Sequence, residues 1–356
     1  MKITEVDVVL VDEPPATPKF RWRQGLPGSE PKRTEGWLVL RTDTGVVGYG
    51  HCRRGVILRD LVERRLRSEL LGVDPLAREY VYRRMWEVDR IEEFPIWLHG
   101  VVDVALWDIG GKATELPVYQ LLGGYRTDIP AYASTVTFDD TAEYLDVIDQ
   151  CLELGYPAIK LHVWGDARRD ARLALAVRDH VGPDIPLMLD GSAGYDLLDA
   201  IFLGRALSEA DYVYYEEPMR EFSVTAYRRL AERVEVPLLV AETSDGAYMS
   251  TADFIASGCA VAVRTSAELR AGITGAMRTA HLADSYLMRA EVHGSNRVNM
   301  HLCMAIPNNT YYESIVMGNP VEREFRVGAD GLVRAPAVPG IGWEDEWAER
   351  GRPAGL

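Results

Sequence analysis

Lysine is the scarce residue of this 356-residue chain: five against 34 arginines, with none after Lys160. Any lysine with a chemical role is therefore confined to very few positions. Cysteine is nearly as sparse, and Cys52, Cys151, Cys259 and Cys303 form no Cys-x-x-Cys pair. That argues against a disulfide framework or a zinc site and for buried thiols. No stretch approaches the ~20 consecutive apolar residues of a membrane helix. The opening residues, Met1 to Val8, alternate like a strand and lack the apolar centre of a secretory leader, so a cytoplasmic protein is expected. An excess of positive charge is also missing. The formal net charge of −15 argues against a footprint on nucleic acid or on an anionic membrane. The expected partner is a small molecule, and an anionic one must be met by cations gathered locally.

The composition, 47% hydrophobic and 26% charged, suits a globular protein with a large core, and the length exceeds the roughly 100–200 residues of one ordinary domain. Residues 1–125 read as an α+β unit: strands at 1–11 and 36–52, the latter a hairpin about Thr42-Asp43-Thr44-Gly45, an intervening Pro-, Gly- and Arg-rich loop at 14–32, and helical patterns at roughly 57–71, 76–91 and 97–114. From residue 126 the pattern changes. Eight short apolar runs (131–136, 158–163, 186–190, 212–217, 237–242, 260–265, 287–293 and 311–315) alternate with amphipathic stretches, the one before the last run (297–305) being short. Repeated βα units imply parallel strands, and eight of them a closed barrel. The expected fold class is α/β, a (β/α)7β TIM-like barrel over 126–320 with an N-terminal capping domain over 1–125, completed by the Gly- and Pro-rich tail 321–356.

Barrel active sites lie at the C-terminal ends of the strands. Read in order, those ends carry Lys160 and His162, then Asp190, Glu216 and Glu242, then His293, with Glu313 on the last strand. The three acidic residues are 26 and 26 residues apart, one βα unit each. A lone carboxylate at a strand end is ordinarily a cap or a solvated loop residue. Three in register converge, and cannot all stay ionised in a closed site without a cation. Oxygen ligands select a hard ion, Mg²⁺ or Mn²⁺. Lys160 and His162, two apart on a strand, face one side, and an imidazole titrates closer to working pH than a lysine.

These segments resemble the enolase superfamily. The run Ala105-Leu106-Trp107-Asp108-Ile109-Gly110-Gly111-Lys112 with Pro117 and Leu121-Leu122-Gly123-Gly124 is similar to its signature before the barrel. Ile159-Lys160-Leu161-His162, Leu189-Asp190, Glu216-Glu217-Pro218, Ala241-Glu242, Gly272-Ile273-Thr274, His293-Gly294 and Ala305-Ile306-Pro307-Asn308 follow in order. Nearly the whole chain is covered, and the nearest resemblance is to the mandelate racemase-like members, which include acid-sugar dehydratases. The resemblance implies one Mg²⁺ on Asp190, Glu216 and Glu242, and abstraction of the proton α to a carboxylate through an enediolate. It implies Lys160 at the substrate carboxylate, His162 as a base on one face and His293 as base or acid on the other. Glu313 would hydrogen-bond the substrate carboxylate, for which it must be protonated. It further implies a symmetric homo-oligomer, and a loop over the site in which Arg21, Trp22 and Arg23 contact substrate.

Three positions depart from the pattern. His162 stands where a second lysine is usual; Asp190-Gly191-Ser192 replaces Asp-x-Asn; and Ser266, a further candidate substrate contact, occupies the place of the aspartate that partners His293 in relatives. Glu217, next to a ligand, is expected to face away from it by strand alternation. His281 and His301, in helical stretches, are expected to be structural. The expected reaction is dehydration of an aldonate or aldarate to a 2-keto-3-deoxy acid. Racemisation, epimerisation or cycloisomerisation of a hydroxy acid or sugar-acid lactone through the same intermediate is the alternative, and a carboxylate-binding barrel without activity a third. The missing sixth-strand lysine disfavours epimerases of amino acids and peptides.

Overall fold

The computed structural model describes residues 1–353 and 355–356. Strands β1 (Ile3–Glu13), β2 (Arg33–Thr42) and β3 (Val47–Cys52) form an antiparallel sheet in the order β1-β2-β3. The loop expected at 14–32 joins the first two, and the Thr42–Gly45 turn the last two. The Ile96–Thr114 helix lies on this sheet at backbone contact. A side chain at Gly48 would meet the Ala105 carbonyl and one at Gly50 the Val101 carbonyl, with Cβ 2.4 and 2.1 Å away. The alternating glycines of Val47-Gly48-Tyr49-Gly50 are what permit that approach. The same helix is buried nearly all round, because its other side faces the barrel. Asp108 in its signature segment accepts the backbone N–H of Tyr49 (3.0 Å) and of Ile341 (2.8 Å), joining sheet, helix and tail.

Eight parallel strands follow: β4 (Asp128–Thr135), β5 (Ile159–His162), β6 (Leu187–Asp190), β7 (Tyr214–Glu216), β8 (Leu238–Val240), β9 (Ala262–Thr265), β10 (Arg289–Val292) and β11 (Tyr312–Val316). Seven helices alternate with them, and side chains of Asp140, Asp166, Asp196, Ser223 and Asn296 cap five of their N-termini. Neighbouring strands pair in sequence order and β11 pairs β4. Between β10 and β11 the ring is closed largely by asparagines and a glutamate. The Ala290 N–H donates to the Asn308 carbonyl (3.0 Å), the Val292 N–H to Asn309 Oδ1 (3.0 Å) and the Thr310 N–H to Glu291 Oε2 (3.1 Å). This is the (β/α)7β barrel expected from the spacing.

The tail is more ordered than its composition suggests. Strand β12 (Leu332–Arg334) pairs antiparallel with β4, and the Trp343–Arg350 helix packs on the N-terminal sheet. Trp343 donates its indole N–H to the Tyr49 carbonyl (3.1 Å) and meets Trp37 edge-on at 5.0 Å. His301 is structural, as expected: it accepts the Tyr119 N–H at Nδ1 and donates from Nε2 to the Ile341 carbonyl.

Candidate active site

Strand register sets the site. His162 lies opposite Asp190, and Asp190 opposite Glu216, so three adjacent strands end in one inward-facing row. Glu242 joins the row differently. It lies beyond the end of β8, and alternation from Leu239, an inward residue, would turn it outward. Ala241 adopts φ +66°, a left-handed conformation that breaks the alternation and brings Glu242 back to the mouth. One oxygen from each of Asp190, Glu216 and Glu242 lies within 4.8 Å of the others. Glu242 Oε2 is buried without a hydrogen-bond partner, and burial together with the charges of Glu216 and Asp190 pushes its pKa well above the usual carboxylate range. An orphaned buried carboxylate oxygen aimed at two others is what a hard divalent ion satisfies, and on that ground the residues fit one.

Cations surround the row. Lys160 is fully buried; its Nζ lies 2.8 Å from Glu216 Oε2, 2.7 Å from Glu313 Oε1 and 3.5 Å from Asp190 Oδ2. These anions outweigh the desolvation that would lower its pKa, and hold it raised. His162 Nδ1 is 2.6 Å from the Thr135 carbonyl. A carbonyl only accepts, so Nδ1 carries a proton and Nε2, 3.1 Å from Asp190 Oδ2, is the nitrogen directed into the site. His293 approaches from the other end, its Nδ1 3.5 Å from Glu242 Oε2 and 3.3 Å from Glu313 Oε2. Two imidazoles thus flank the carboxylate row.

Glu313 departs from its expected state. Burial raises its pKa, but Lys160, Arg264 and His293 outweigh burial and hold the carboxyl well below the usual range. It is ionised here, accepting from Ser134 Oγ (2.9 Å) and the Gly294 N–H (2.7 Å), rather than protonated. Glu217 departs too. Its φ of +39° takes it out of strand geometry, so it does not face away. Its carboxyl accepts from the Thr243 hydroxyl, and burial with the charges of Glu242, Asp190 and Glu221 pushes its pKa up to about 10. It lies beside the acidic row, with its protonated form favoured by burial.

Ser266 does not stand in for the missing aspartate. Its hydroxyl accepts the Leu269 N–H (3.2 Å) and closes the turn after β9. Ser192 does support the row: its N–H donates to Asp190 Oδ1 (2.7 Å).

The loop residues reach the site unequally. Trp22 packs against His162 with ring centroids 4.7 Å apart and planes tilted by 44°. Arg21 is exposed, and its carbonyl accepts the Thr137 N–H. Arg23 donates to the carbonyls of Ser192 (3.2 Å) and Gln24 (2.8 Å), so its guanidinium fastens the loop. Its aliphatic stem lies in a slot between two glycines. A Cβ on Gly194 would sit 2.6 Å from Arg23 Cδ, and one on Gly165 2.7 Å from it. Gly194→Ala is therefore expected to loosen the loop. Limited proteolysis within 14–32 should accelerate several-fold, and an unchanged cleavage rate would show that the slot does not hold it.

Two residues facing the barrel interior carried no motif in the sequence: Arg264, bonded to Glu216, and Tyr132, whose hydroxyl accepts from Arg264 (2.9 Å). The available signal was an arginine at an inward position of an apolar strand.

Residues 143–348 match the family model described as enolase C-terminal domain-like, and residues 32–123 match that of the mandelate racemase / muconate lactonizing enzyme N-terminal domain. The 3,6-anhydro-alpha-L-galactonate cycloisomerase of Streptomyces coelicolor is 28% identical over 330 residues, spanning 88% of this chain and 90% of that protein. A D-galactonate dehydratase family member of Streptomyces bingchenggensis is 27% identical over 356 residues, 86% of each. The crystal structure of D-glucarate dehydratase from Agrobacterium tumefaciens, complexed with magnesium, superposes with a TM-score of 0.89 at 30% identity over 96% of each chain. Among the described residues no helix is long and apolar enough to cross a membrane.

Proposed function

The chain belongs to the mandelate racemase / muconate lactonizing enzyme family of the enolase superfamily, and on that premise we propose that it abstracts the proton α to the carboxylate of a sugar acid and dehydrates the acid to a 2-keto-3-deoxy product. The observation that carries this reading is the row Asp190-Glu216-Glu242 with an imidazole at either end and Lys160 beneath it. Asp190, Glu216 and Glu242 would hold Mg²⁺, or Mn²⁺ in its place. The ion supplies Lewis-acid stabilisation of negative charge on carboxylate oxygens, which the weak acidity of an α-proton makes necessary. The residues supply the rest. Lys160 meets the substrate carboxylate. His162 takes the α-proton at Nε2, its other nitrogen kept protonated by the Thr135 carbonyl. Trp22 covers that imidazole and keeps water from it. His293 protonates the departing C3 hydroxyl.

A cycloisomerase is the second reading, favoured by the Streptomyces coelicolor relative, a 3,6-anhydro-alpha-L-galactonate cycloisomerase. It uses the same proton abstraction with a different second step.

The test is to incubate aldonates and aldarates with the enzyme and Mg²⁺ in heavy water, reading α-deuterium incorporation and keto-acid formation. Exchange with keto acid supports the dehydratase. Neither exchange nor keto acid across both classes overturns it, and the same assay on sugar-acid lactones and anhydro sugar acids decides the second reading: exchange with isomer alone supports it, and no exchange there either overturns it and leaves a binding barrel. His293→Asn is expected to lower dehydration by roughly 10²–10⁴-fold while α-exchange persists. Full product yield would demote His293 to a structural residue.

A further inference from the structure

On β9, Val263 turns into the core outside the barrel, and Thr265 turns to the Ala276 carbonyl of the following helix. Ala262 and Arg264 accordingly turn inward, where Ala262 packs with Tyr132, Met188 and Tyr214. Arg264 is fully buried. Its Nε and Nη2 both donate to Glu216, with Nη2 2.8 Å from Oε2. Nη1 donates to the Val292 carbonyl at 3.2 Å and Nη2 to the Tyr132 hydroxyl at 2.9 Å. Nε also lies 3.9 Å from Glu242 Oε2, and Nη2 3.8 Å from Glu313 Oε2. A guanidinium is permanently charged. A full positive charge therefore sits within 4 Å of two members of the acidic row and of Glu313. With Asp190, Glu216, Glu242 and Glu313 all ionised and both imidazoles neutral, Lys160 and Arg264 leave two negative charges over, which is what one divalent ion cancels.

We propose that Arg264 is a resident counter-cation of the metal site. It carries part of the positive charge that the carboxylates require when no ion is bound, and it opposes the ion electrostatically when one binds. The proposal rests on the assignment of Asp190, Glu216 and Glu242 as metal ligands, and it has a sign of its own. By linkage, a group that stabilises the metal-free form relative to the loaded form must, when removed, tighten metal binding. A residue that only positions Glu216 or fills space acts the other way, since its loss leaves a ligand misplaced and weakens binding.

The experiment is a calorimetric Mg²⁺ titration of the wild type, Arg264→Met and Arg264→Lys, with melting temperatures in chelator and in saturating Mg²⁺. Arg264→Met should bind Mg²⁺ about tenfold more tightly or better, a modest fraction of the Coulomb term for a unit charge at this distance. It should melt lower in chelator and gain more from Mg²⁺ than the wild type does. Arg264→Lys, which keeps the charge and loses the fork, should stay close to wild-type affinity. A wild type that binds no Mg²⁺ defeats the ligand assignment itself. A wild type that binds, beside an Arg264→Met protein that binds equally or more weakly, overturns the counter-cation and leaves the ligands standing. Should Arg264→Met be unfolded in chelator, its Mg²⁺ affinity is read from the Mg²⁺ dependence of its folding: a folded form that binds more tightly than the wild type upholds the proposal, and one that binds equally or more weakly, or a protein that fails to fold with Mg²⁺, overturns it in favour of packing.

Discussion

Glu242→Gln is expected to abolish tight Mg²⁺ binding and to lower turnover by three orders of magnitude or more. The removed group is one of three charged oxygens, and a metal supplies several kcal/mol of transition-state stabilisation. Altering groups that merely support a ligand already costs about 10–100-fold. The stability effect should run opposite to the functional one. Glu242 is held above the usual carboxylate range by burial and by its acidic neighbours, and its Oε2 has no hydrogen-bond partner. A neutral amide of the same shape needs no proton uptake to be buried there, so the variant should melt at or above the wild type in chelator and gain little from Mg²⁺. Calorimetric titration and thermal melts read both. An unchanged Mg²⁺ isotherm would remove Glu242 from the ligand set.

His162→Asn should lower α-proton exchange by roughly 10²–10⁴-fold, the usual contribution of a positioned general base, while the Mg²⁺ isotherm stays near wild type. The reason lies in the geometry. Asparagine's amide N–H can still reach the Thr135 carbonyl where Nδ1 now donates, so local structure and the row beside it are kept. The basic nitrogen directed at Asp190 is lost. Exchange at the wild-type rate would assign the base to His293 or to a group outside the row. Loss of exchange together with loss of Mg²⁺ binding would instead make His162 a support for Asp190.

The two variants probe different ends of one arrangement. Glu242 is aligned by a backbone kink at Ala241, and His162 by the regular register of β5 with β6. His293 is tied to neither. With Ser266 turned to the Leu269 N–H, its nearest acidic partners are Glu313 and Glu242, contributed by the eighth and fifth barrel strands rather than the sixth.

Periodicity and spacing determined the barrel, the hairpin beneath the capping helices and the residues at the strand ends. These are local or repeating signals: apolar runs one βα unit apart, capped helices between them, and acidic residues at an interval of 26 that strand geometry turns into a common direction. The tail's strand and helix were not legible, since a three-residue strand beside β4 and a helix anchored by two tryptophans on Trp37 are defined by what they pack against. Only the tertiary structure decided which way Glu217 and Glu242 face, because left-handed residues at 217 and 241 reverse the alternation from which side-chain direction is read. Only it decided the ionisation of Glu313 and the pairing of Arg264 with Glu216, because a buried carboxyl's charge depends on cations brought from strands a hundred or more residues away, or from across the barrel.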